Sequence, residues 1–104
     1  MVVHVSKYDI HPDKLDAYLK WAEGAIKRIL AVPGVVEFRA YRPVTGPSQL
    51  VTMTEFADMV AWAAFASNAD MLKLQMELHT LGLNITNEVW GPSPVVPAPI
   101  RPHK

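Results

Sequence analysis

The order of the segments along this chain constrains its fold more than any other feature of the sequence. Stretches rich in β-branched and aromatic residues alternate with helix-forming stretches, and prolines and glycines mark the breaks between them. In order, the predicted elements are strand Val2–Ile10, a helix from Pro12 to Pro33-Gly34, strands Val35–Arg42 and Gln49–Phe56, a helix from about Asp58 to Gly82, and strand Asn84–Trp90. This βαββαβ order predicts an α+β fold, in which a four-stranded antiparallel sheet carries two helices on one face.

The first helix shows the clearest periodicity. Its apolar residues recur at three- and four-residue spacing and form one stripe: Leu15, Tyr18, Leu19, Ala22, Ala25, Ile26, Ile29 and Leu30. Pro12 suits the first helical position and His11 the N-cap position before it. The second helix is more apolar, and Asn68 lies in a polar interruption of it, so we expect a second segment that begins at Ala69.

Composition excludes several classes of protein. The 104 residues are enough for one domain, and ten basic residues balance ten acidic ones, so nothing indicates binding to nucleic acid or to an anionic membrane. There is no cysteine, which excludes disulfides and thiolate metal sites. No apolar run is long enough to cross a bilayer, and the N-terminus reads as a strand instead of a signal peptide. We expect a soluble, cytoplasmic protein.

The chain divides into a folded unit, residues 1–91, and a proline-rich C-terminal arm, residues 92–104. The prolines exclude a helix or a central strand in the arm. Such an arm is either disordered or lies on a surface. Our hypothesis is that Val95, Val96 and Ile100 pack along a partner subunit, so that two subunits exchange their arms.

Strand alternation sorts the residues of the sheet onto two faces. A mostly apolar set is expected to face the helices: Val3, Val5, Val36, Phe38, Ala40, Val51, Met53, Ile85 and Val89. A mixed set is expected on the other face: His4, Ser6, Tyr8, Glu37, Arg39, Tyr41, Thr52, Thr54, Phe56, Thr86, Glu88 and Trp90. The mixed face carries too many large residues for a face in water, so we expect two sheets to pack together in a twofold homodimer.

Three short motifs resemble the antibiotic biosynthesis monooxygenase-like family. They are the Pro-Gly turn in Val32–Val36, the run Val51–Asp58, and Ala61-Trp62 early in the second helix. By organisation the resemblance covers roughly residues 1–91. It implies ferredoxin-like subunits that pair into a dimeric α+β barrel. It also implies activities such as cofactor-free monooxygenation of quinols or polycyclic aromatics, haem degradation, cyclisation or isomerisation.

The haem-degrading branch of this family fits the sequence poorly. That branch has an asparagine on the first strand, and a tryptophan ten residues before a histidine on the second helix. The first strand here has no asparagine, and Phe65 and Gln75 align best with the other two positions. Trp62 itself is followed ten residues later by Leu72.

His4, Arg39 and Tyr41 are the candidate catalytic residues. A histidine is the usual general base near neutral pH, and Arg39 and Tyr41 would orient a substrate phenolate. The alternatives are a structural histidine that is hydrogen-bonded across the dimer, and an Arg–Glu ladder across strands. No pair of histidines or carboxylates has metal-ligand spacing, and we expect no metal or cofactor.

The candidate pocket residues are Met59, Trp62, Phe65, Met76 and His79 on the second helix. They could line an apolar pocket for a flat aromatic ligand, or they could simply be core residues. His79 could also be a residue stabilised by the helix dipole near the C-terminal end.

The leading function is therefore a small cofactor-independent monooxygenase, which acts on aromatic or quinol-type substrates in an apolar pocket. Two alternatives stay open at this point. One is a non-catalytic dimer that binds a small apolar ligand or has a regulatory role, and the other is a cyclase or isomerase on the same scaffold. The sequence does not decide whether the protein is an enzyme.

Overall fold

The computed structural model describes residues 1–103 and has the predicted order of strands and helices. The elements are β1 (Val2–Ile10), a 3₁₀ turn (Pro12–Lys14), α1 (Leu15–Leu30), β2 (Val35–Tyr41), β3 (Leu50–Phe56), α2 (Met59–Ala66), α3 (Ala69–Leu81) and β4 (Gly82–Trp90). The strands form one antiparallel sheet in the order β2-β3-β1-β4. This confirms the α+β class, and the second predicted helix is divided into α2 and α3.

Polar side chains determine where the helical segments begin. His11 accepts an amide N–H through Nδ1, which confirms the predicted N-cap. Asp58 accepts the Ala61 amide at the start of α2, over 2.9 Å. Asn68 accepts two amides at the start of α3, over 2.9 and 3.1 Å. Because the first amides of a helix have no partner within it, each of these bonds favours a new start at that position.

The helix α1 ends before the Pro33-Gly34 turn, and α2 packs closely against this turn. Gly34 has φ +91°, a conformation that residues with a side chain rarely adopt. A Cβ atom at this position would lie 3.1 Å from Cβ of Ala61. Gly34 is therefore required both by the turn and by the close approach of α2.

The core lies between the sheet and the helices, in two clusters. The first surrounds Phe56, which has no exposed surface, and contains Val2, Ala25, Val32, Phe65, Met71 and Leu74. The second contains Tyr8, Tyr18 and Leu78. Trp21, which lies outside the predicted stripe of α1, packs against both clusters. Part of that stripe faces outward instead, since Leu19 and Leu30 are 58% and 55% exposed.

The predicted faces of β1 and β3 are wrong. His4, Ser6 and Tyr8 share a cavity with helix residues, so this side of β1 faces the helices. The register pairs His4 with Thr54 and Ser6 with Thr52, which places these threonines on the same side. The residues predicted to face the helices from these strands lie on the opposite, open face of the sheet: Val3, Val5, Val51 and Met53.

The reason for this inversion is that both faces of β1 and β3 carry residues suited to strands. Alternation separates the two sets but does not say which one meets the helices. The helix-facing set borders a cavity, so it contains polar residues that a solid core would disfavour. The predicted faces of β2 and β4 agree with the structure at Phe38 and Ala40, which line the cavity, and at Ile85, which packs in the second cluster.

Beyond β4, residues 91–103 form no helix or strand. Val95 and Ile100 of the predicted arm are 86% and 79% exposed, and Val96 is 44% exposed. Lys104, the last residue of that arm, lies outside the described residues. None of the helices within residues 1–103 is long and apolar enough to cross a bilayer.

Candidate functional site

A cavity of about 290 Å³ lies between the sheet and all three helices. This volume is close to the smallest volumes found for small-molecule sites, which are about 300 Å³. The apolar part of its lining includes Trp21, Ala25, Ile29, Phe38, Phe65 and Leu74. The polar part comprises His4, Ser6, Tyr8, Tyr18, Thr52, Thr54, Gln75 and Asn87. Within the described chain, no Asp, Glu, Lys or Arg contributes to this lining.

The His4 imidazole is held at the cavity by two hydrogen bonds. The indole Nε1–H of Trp62 donates to His4 Nδ1 over 3.0 Å. His4 Nε2 lies 3.2 Å from Oδ1 of Asn87. Because an indole N–H can only donate, Nδ1 must be the unprotonated nitrogen, and Nε2–H therefore donates to Asn87. The ring planes of His4 and Trp62 differ by 22°, with the ring centroids 6.4 Å apart. The ring centroid of Phe65 lies 6.0 Å from that of His4.

The environment of His4 favours its neutral form. Burial lowers the pKa of His4 below its ordinary value, and the hydrogen bond to Asn87 opposes this only in part. Protonation of Nδ1 would also set one N–H against the N–H of Trp62. At neutral pH the imidazole is therefore uncharged, as a resting general base must be.

Two tyrosine hydroxyls meet at another part of the cavity. The Tyr8 and Tyr18 oxygens are 2.6 Å apart, and both side chains are buried. Burial raises the pKa of Tyr8, and the bond to Tyr18 raises it further. Burial likewise raises the pKa of Tyr18. Both hydroxyls therefore stay protonated at neutral pH, and only one of their two hydrogens is used between them.

Ser6 lies between His4 and Tyr8 on the same side of β1. Its side-chain oxygen is buried and has no hydrogen-bond partner within the described residues. Most buried polar atoms in folded proteins are paired, so this unpaired hydroxyl is a candidate contact for a molecule bound in the cavity.

The predicted pocket residues divide into those at the cavity and those outside it. Phe65 lines the cavity, and Trp62 reaches it through its bond to His4. Met59 and Met76 are 52% and 70% exposed and do not line it. His79 is exposed in the last turn of α3, also outside the lining.

The predicted catalytic residues are not brought together. His4 faces the helices, whereas Arg39 and Tyr41 lie on the open face of the sheet. There Arg39 binds Glu37 over 2.9 Å and approaches the Tyr41 hydroxyl at 3.4 Å. These side chains line a shallow depression with Val3, Met53 and Glu55. The guanidinium of Arg39 holds the pKa of Glu37 below its usual range. The sequence allowed an Arg–Glu ladder across strands, whereas Arg39 and Glu37 lie two residues apart on the same strand, β2.

Sequence analysis missed seven polar residues that line the cavity: Ser6, Tyr8, Tyr18, Thr52, Thr54, Gln75 and Asn87. The first two were assigned to the other face of the sheet, and Tyr18 was counted as a core residue only. One signal in the sequence could have found them. A strand in which polar and apolar residues alternate can place its polar row toward a cavity under the helices as well as toward solvent.

Comparison with known proteins gives one match to a family. The family model described as antibiotic biosynthesis monooxygenase matches residues 1–76. No sequence among the curated proteins matches the chain.

Solved structures with the same fold have low sequence identity to the chain. A ferredoxin-like dabb family protein from Mesorhizobium loti has a TM-score of 0.78 at 17% identity, over 88% of this chain and 96% of that one. Rv0793 from Mycobacterium tuberculosis has a TM-score of 0.72 at 17% identity, over 88% and 94%. SnoaB from Streptomyces nogalater, a cofactor-independent oxygenase, has a TM-score of 0.71 at 15% identity, over 86% and 89%. At these identities the likeness shows the ferredoxin-like fold.

Proposed function

The chain belongs to the antibiotic biosynthesis monooxygenase family, and on that premise we propose that the cavity is the active site of a cofactor-independent monooxygenase. Its substrate would be a small aromatic or quinol-type molecule. The observation that carries the proposal is the position of His4. A neutral imidazole lies at an otherwise uncharged and largely apolar cavity, between Trp62 and Asn87.

The proposed reaction needs only dioxygen as the oxidant. A substrate CH₂ group beside an aromatic ring and conjugated with a carbonyl loses one proton to a base and becomes a carbanion. The carbanion transfers electrons to dioxygen and forms a C–O bond. The resulting hydroperoxide loses water, so that the CH₂ becomes a carbonyl, and one oxygen atom is found in the product and the other in water. The protein contributes the base, the exclusion of water and the position of the substrate.

His4 is the proposed base, because it is the one predicted catalytic residue at the cavity. Its unprotonated nitrogen, Nδ1, accepts the Trp62 indole in the resting structure. Uptake of the substrate proton would therefore require the indole to move from Nδ1. Trp62 has the role of a positioning residue in this proposal, since it fixes the tautomer and orientation of His4.

The test is dioxygen uptake by purified protein that has been treated with a chelator and freed of flavin, with anthrone as the substrate. Anthrone has an activated CH₂ conjugated with a carbonyl on an apolar ring system. We expect uptake to exceed the spontaneous rate, and His4→Ala to reduce kcat by a factor of about 10² or more, as for loss of a general base. His79→Ala is the matched control, because this exposed histidine lies outside the cavity.

Two results would separate the parts of this proposal. Uptake at the spontaneous rate with the wild-type protein, for anthrone and for related quinols, would reject the monooxygenase function. Full activity of His4→Ala would reject the role of His4 as the base while leaving the function in place.

The second candidate function is a non-catalytic dimer that binds a small apolar ligand. The observation in its favour is that both ring nitrogens of His4 have partners, so no free lone pair faces the cavity. This candidate predicts saturable binding of anthrone, measured by a rise in melting temperature under nitrogen, without any dioxygen uptake in air.

The open face of the sheet supports the proposal of a homodimer. With β1 and β3 oriented as observed, this face carries Val3, Val51 and Met53 beside Tyr41 and Trp90. Tyr41 and Trp90 are 46% and 42% exposed in the single chain. Large apolar side chains on a sheet face are buried when two sheets pack. The exposed Val95 and Ile100 of the arm would then lie along the partner subunit.

Two variants distinguish the sheet from the arm as the source of dimer affinity. Met53→Lys places a charge in the centre of the open face and is expected to give monomers by native mass spectrometry. Truncation after Gly91 is expected to weaken the dimer but keep the folded unit. A monomeric wild-type protein at micromolar concentration would reject the dimer, and unchanged dimer affinity after truncation would reject the exchange of arms.

A further inference from the structure

The unpaired hydroxyl of Ser6 defines a second polar position in the cavity, separate from His4. Its oxygen is buried and has no partner among the described residues, and Ser6 is one of the residues that line the cavity. Ser6 itself is 7% exposed. A buried hydroxyl without a partner destabilises the protein relative to a paired one. This cost disappears when a bound molecule supplies the missing partner.

The tyrosine pair supplies a further donor next to Ser6 on the strand. One hydroxyl of Tyr8 and Tyr18 donates to the other, and the hydrogen of the acceptor is left over. Because Ser6 and Tyr8 are two residues apart on β1, they project to the same side with their Cα atoms about 6.8 Å apart. Both tyrosines also line the cavity.

The polar groups here are hydroxyls, and raised pKa values keep the tyrosines protonated. They can offer hydrogens to a ligand without carrying a charge. The ligand group that fits them is an oxygen acceptor, such as a carbonyl or a phenol oxygen, on an otherwise apolar molecule. A carboxylate fits poorly, since no cationic side chain lines the cavity within residues 1–103.

We propose that Ser6, with the spare hydrogen of the Tyr8–Tyr18 pair, binds an oxygen of the substrate and determines its orientation in the cavity. This inference rests on the proposed function and names the substrate class more closely. The substrate carries an oxygen acceptor held at Ser6, and its reacting carbon lies toward His4. Ser6 is thus a specificity-determining residue, and it takes no part in the proton transfer.

The experiment compares two probes with the same three-ring skeleton, anthrone with its carbonyl and dihydroanthracene without it. Binding is measured under nitrogen, by quenching of tryptophan fluorescence, so that no turnover occurs. The wild-type protein is expected to bind anthrone more tightly. Ser6→Ala is expected to weaken anthrone binding about three- to tenfold, the effect of one hydrogen bond, and to leave dihydroanthracene binding unchanged.

The stability of the free protein provides a second measurement. Removal of an unpaired buried hydroxyl should leave the melting temperature of the ligand-free protein unchanged or raise it. Ser67→Ala is the matched control, because Ser67 is exposed and its hydroxyl binds the α2 backbone at Ala63, outside the cavity. This control should bind both probes as the wild type does.

The outcomes separate this inference from the proposed function. Equal binding of the two probes by the wild type, or an equal effect of Ser6→Ala on both, would overturn the role of Ser6 while leaving the cavity as the site. A lower melting temperature of free Ser6→Ala, with unchanged anthrone binding, would also overturn it, because the hydroxyl would then have a structural partner. Failure of the wild type to bind either probe would overturn both proposals.

Discussion

The indole of Trp62 donates a hydrogen bond to Nδ1 of His4 over 3.0 Å, although 58 positions separate the two residues in sequence. This bond joins α2 to β1 at the edge of the cavity. It is compatible with only one neutral tautomer of the imidazole, the one protonated at Nε2. It stabilises the neutral histidine, because a protonated Nδ1 would have a hydrogen where the indole hydrogen lies. The geometry therefore links the tautomer of the proposed base to the packing of a helix.

Trp62→Phe tests this link. Phenylalanine retains an aromatic ring against His4 but has no N–H, so the neutral form loses a stabilising bond. We expect the pKa of His4 to rise relative to the wild type, measured by NMR titration of the imidazole resonances. Trp90→Phe is the control, because the Trp90 indole binds Glu88 instead. An unchanged or lower pKa of His4 in Trp62→Phe would contradict the assignment of the tautomer.

His4 also predicts how stability depends on pH. In the unfolded chain it takes up a proton near its ordinary pKa of 6.5, whereas burial lowers its pKa in the folded protein. Below about pH 6.5 the unfolded state thus binds more protons, and the free energy of unfolding decreases as the pH falls. This contribution is fully present above pH 6.5 and is lost progressively below it.

Urea denaturation at a series of pH values measures this effect. The free energy of unfolding of His4→Gln should decrease less steeply between about pH 6.5 and 5 than that of the wild type, since glutamine does not bind a proton in this range. The carboxylates that Arg28 binds, Asp70 and Glu77, have lowered pKa values, so they change the free energy of unfolding only at more acidic pH. Identical pH profiles for both proteins in this window would show that His4 is not buried in a neutral form.

Tyr18→Phe is expected to destabilise the protein by about 1–3 kcal/mol, because it leaves the buried Tyr8 hydroxyl without its partner. Urea denaturation gives the change in free energy of unfolding. Tyr41→Phe serves as the comparison, since its exposed hydroxyl has only a long contact of 3.4 Å with Arg39, and a change of at most about 0.5 kcal/mol is expected there. Equal effects of the two substitutions would contradict the buried pair.

Two glycines should respond in opposite directions to substitution by alanine. Gly34→Ala should lower the free energy of unfolding by about 1–3 kcal/mol, because alanine is strained at φ +91° and its Cβ would crowd Ala61. Gly24→Ala should raise it by about 0.5–1 kcal/mol, since this position is inside α1 and nothing beyond the adjoining helix backbone and its chain neighbours lies within 4 Å of the added Cβ. Effects of the same sign would contradict the contact between the turn and α2.

The sequence predicted those parts of the fold that depend on local chemistry. The Pro33-Gly34 turn and the caps at His11 and Asn68 act within a few residues of the chain, so their effects can be derived from residue types alone. The order of elements follows from these stops and starts. This order indicates the ferredoxin-like arrangement, because few topologies join these elements by short connections that do not cross.

The candidate site was predicted less well, because it depends on which face of each strand meets the helices. Alternation in β1 separates His4 and Ser6 from Val3 and Val5 without giving the direction. The direction is set by packing across the sheet and against α1 and α3, between residues far apart in sequence. His4 and Phe65 were found because their residue types are informative wherever they lie. Ser6 was missed because its significance is the absence of a partner, which only the assembled cavity reveals.

In the proposed function, the protein oxygenates a substrate bound in the cavity without a resident cofactor. Isotopically labelled dioxygen tests it most directly, with anthrone and protein freed of metal and flavin, by mass spectrometry of the product. We expect the new carbonyl to carry one labelled oxygen and to form at a rate well above that without protein, and we expect His4→Ala to abolish this excess. Product formation at the spontaneous rate, or an unlabelled carbonyl, would contradict the claim.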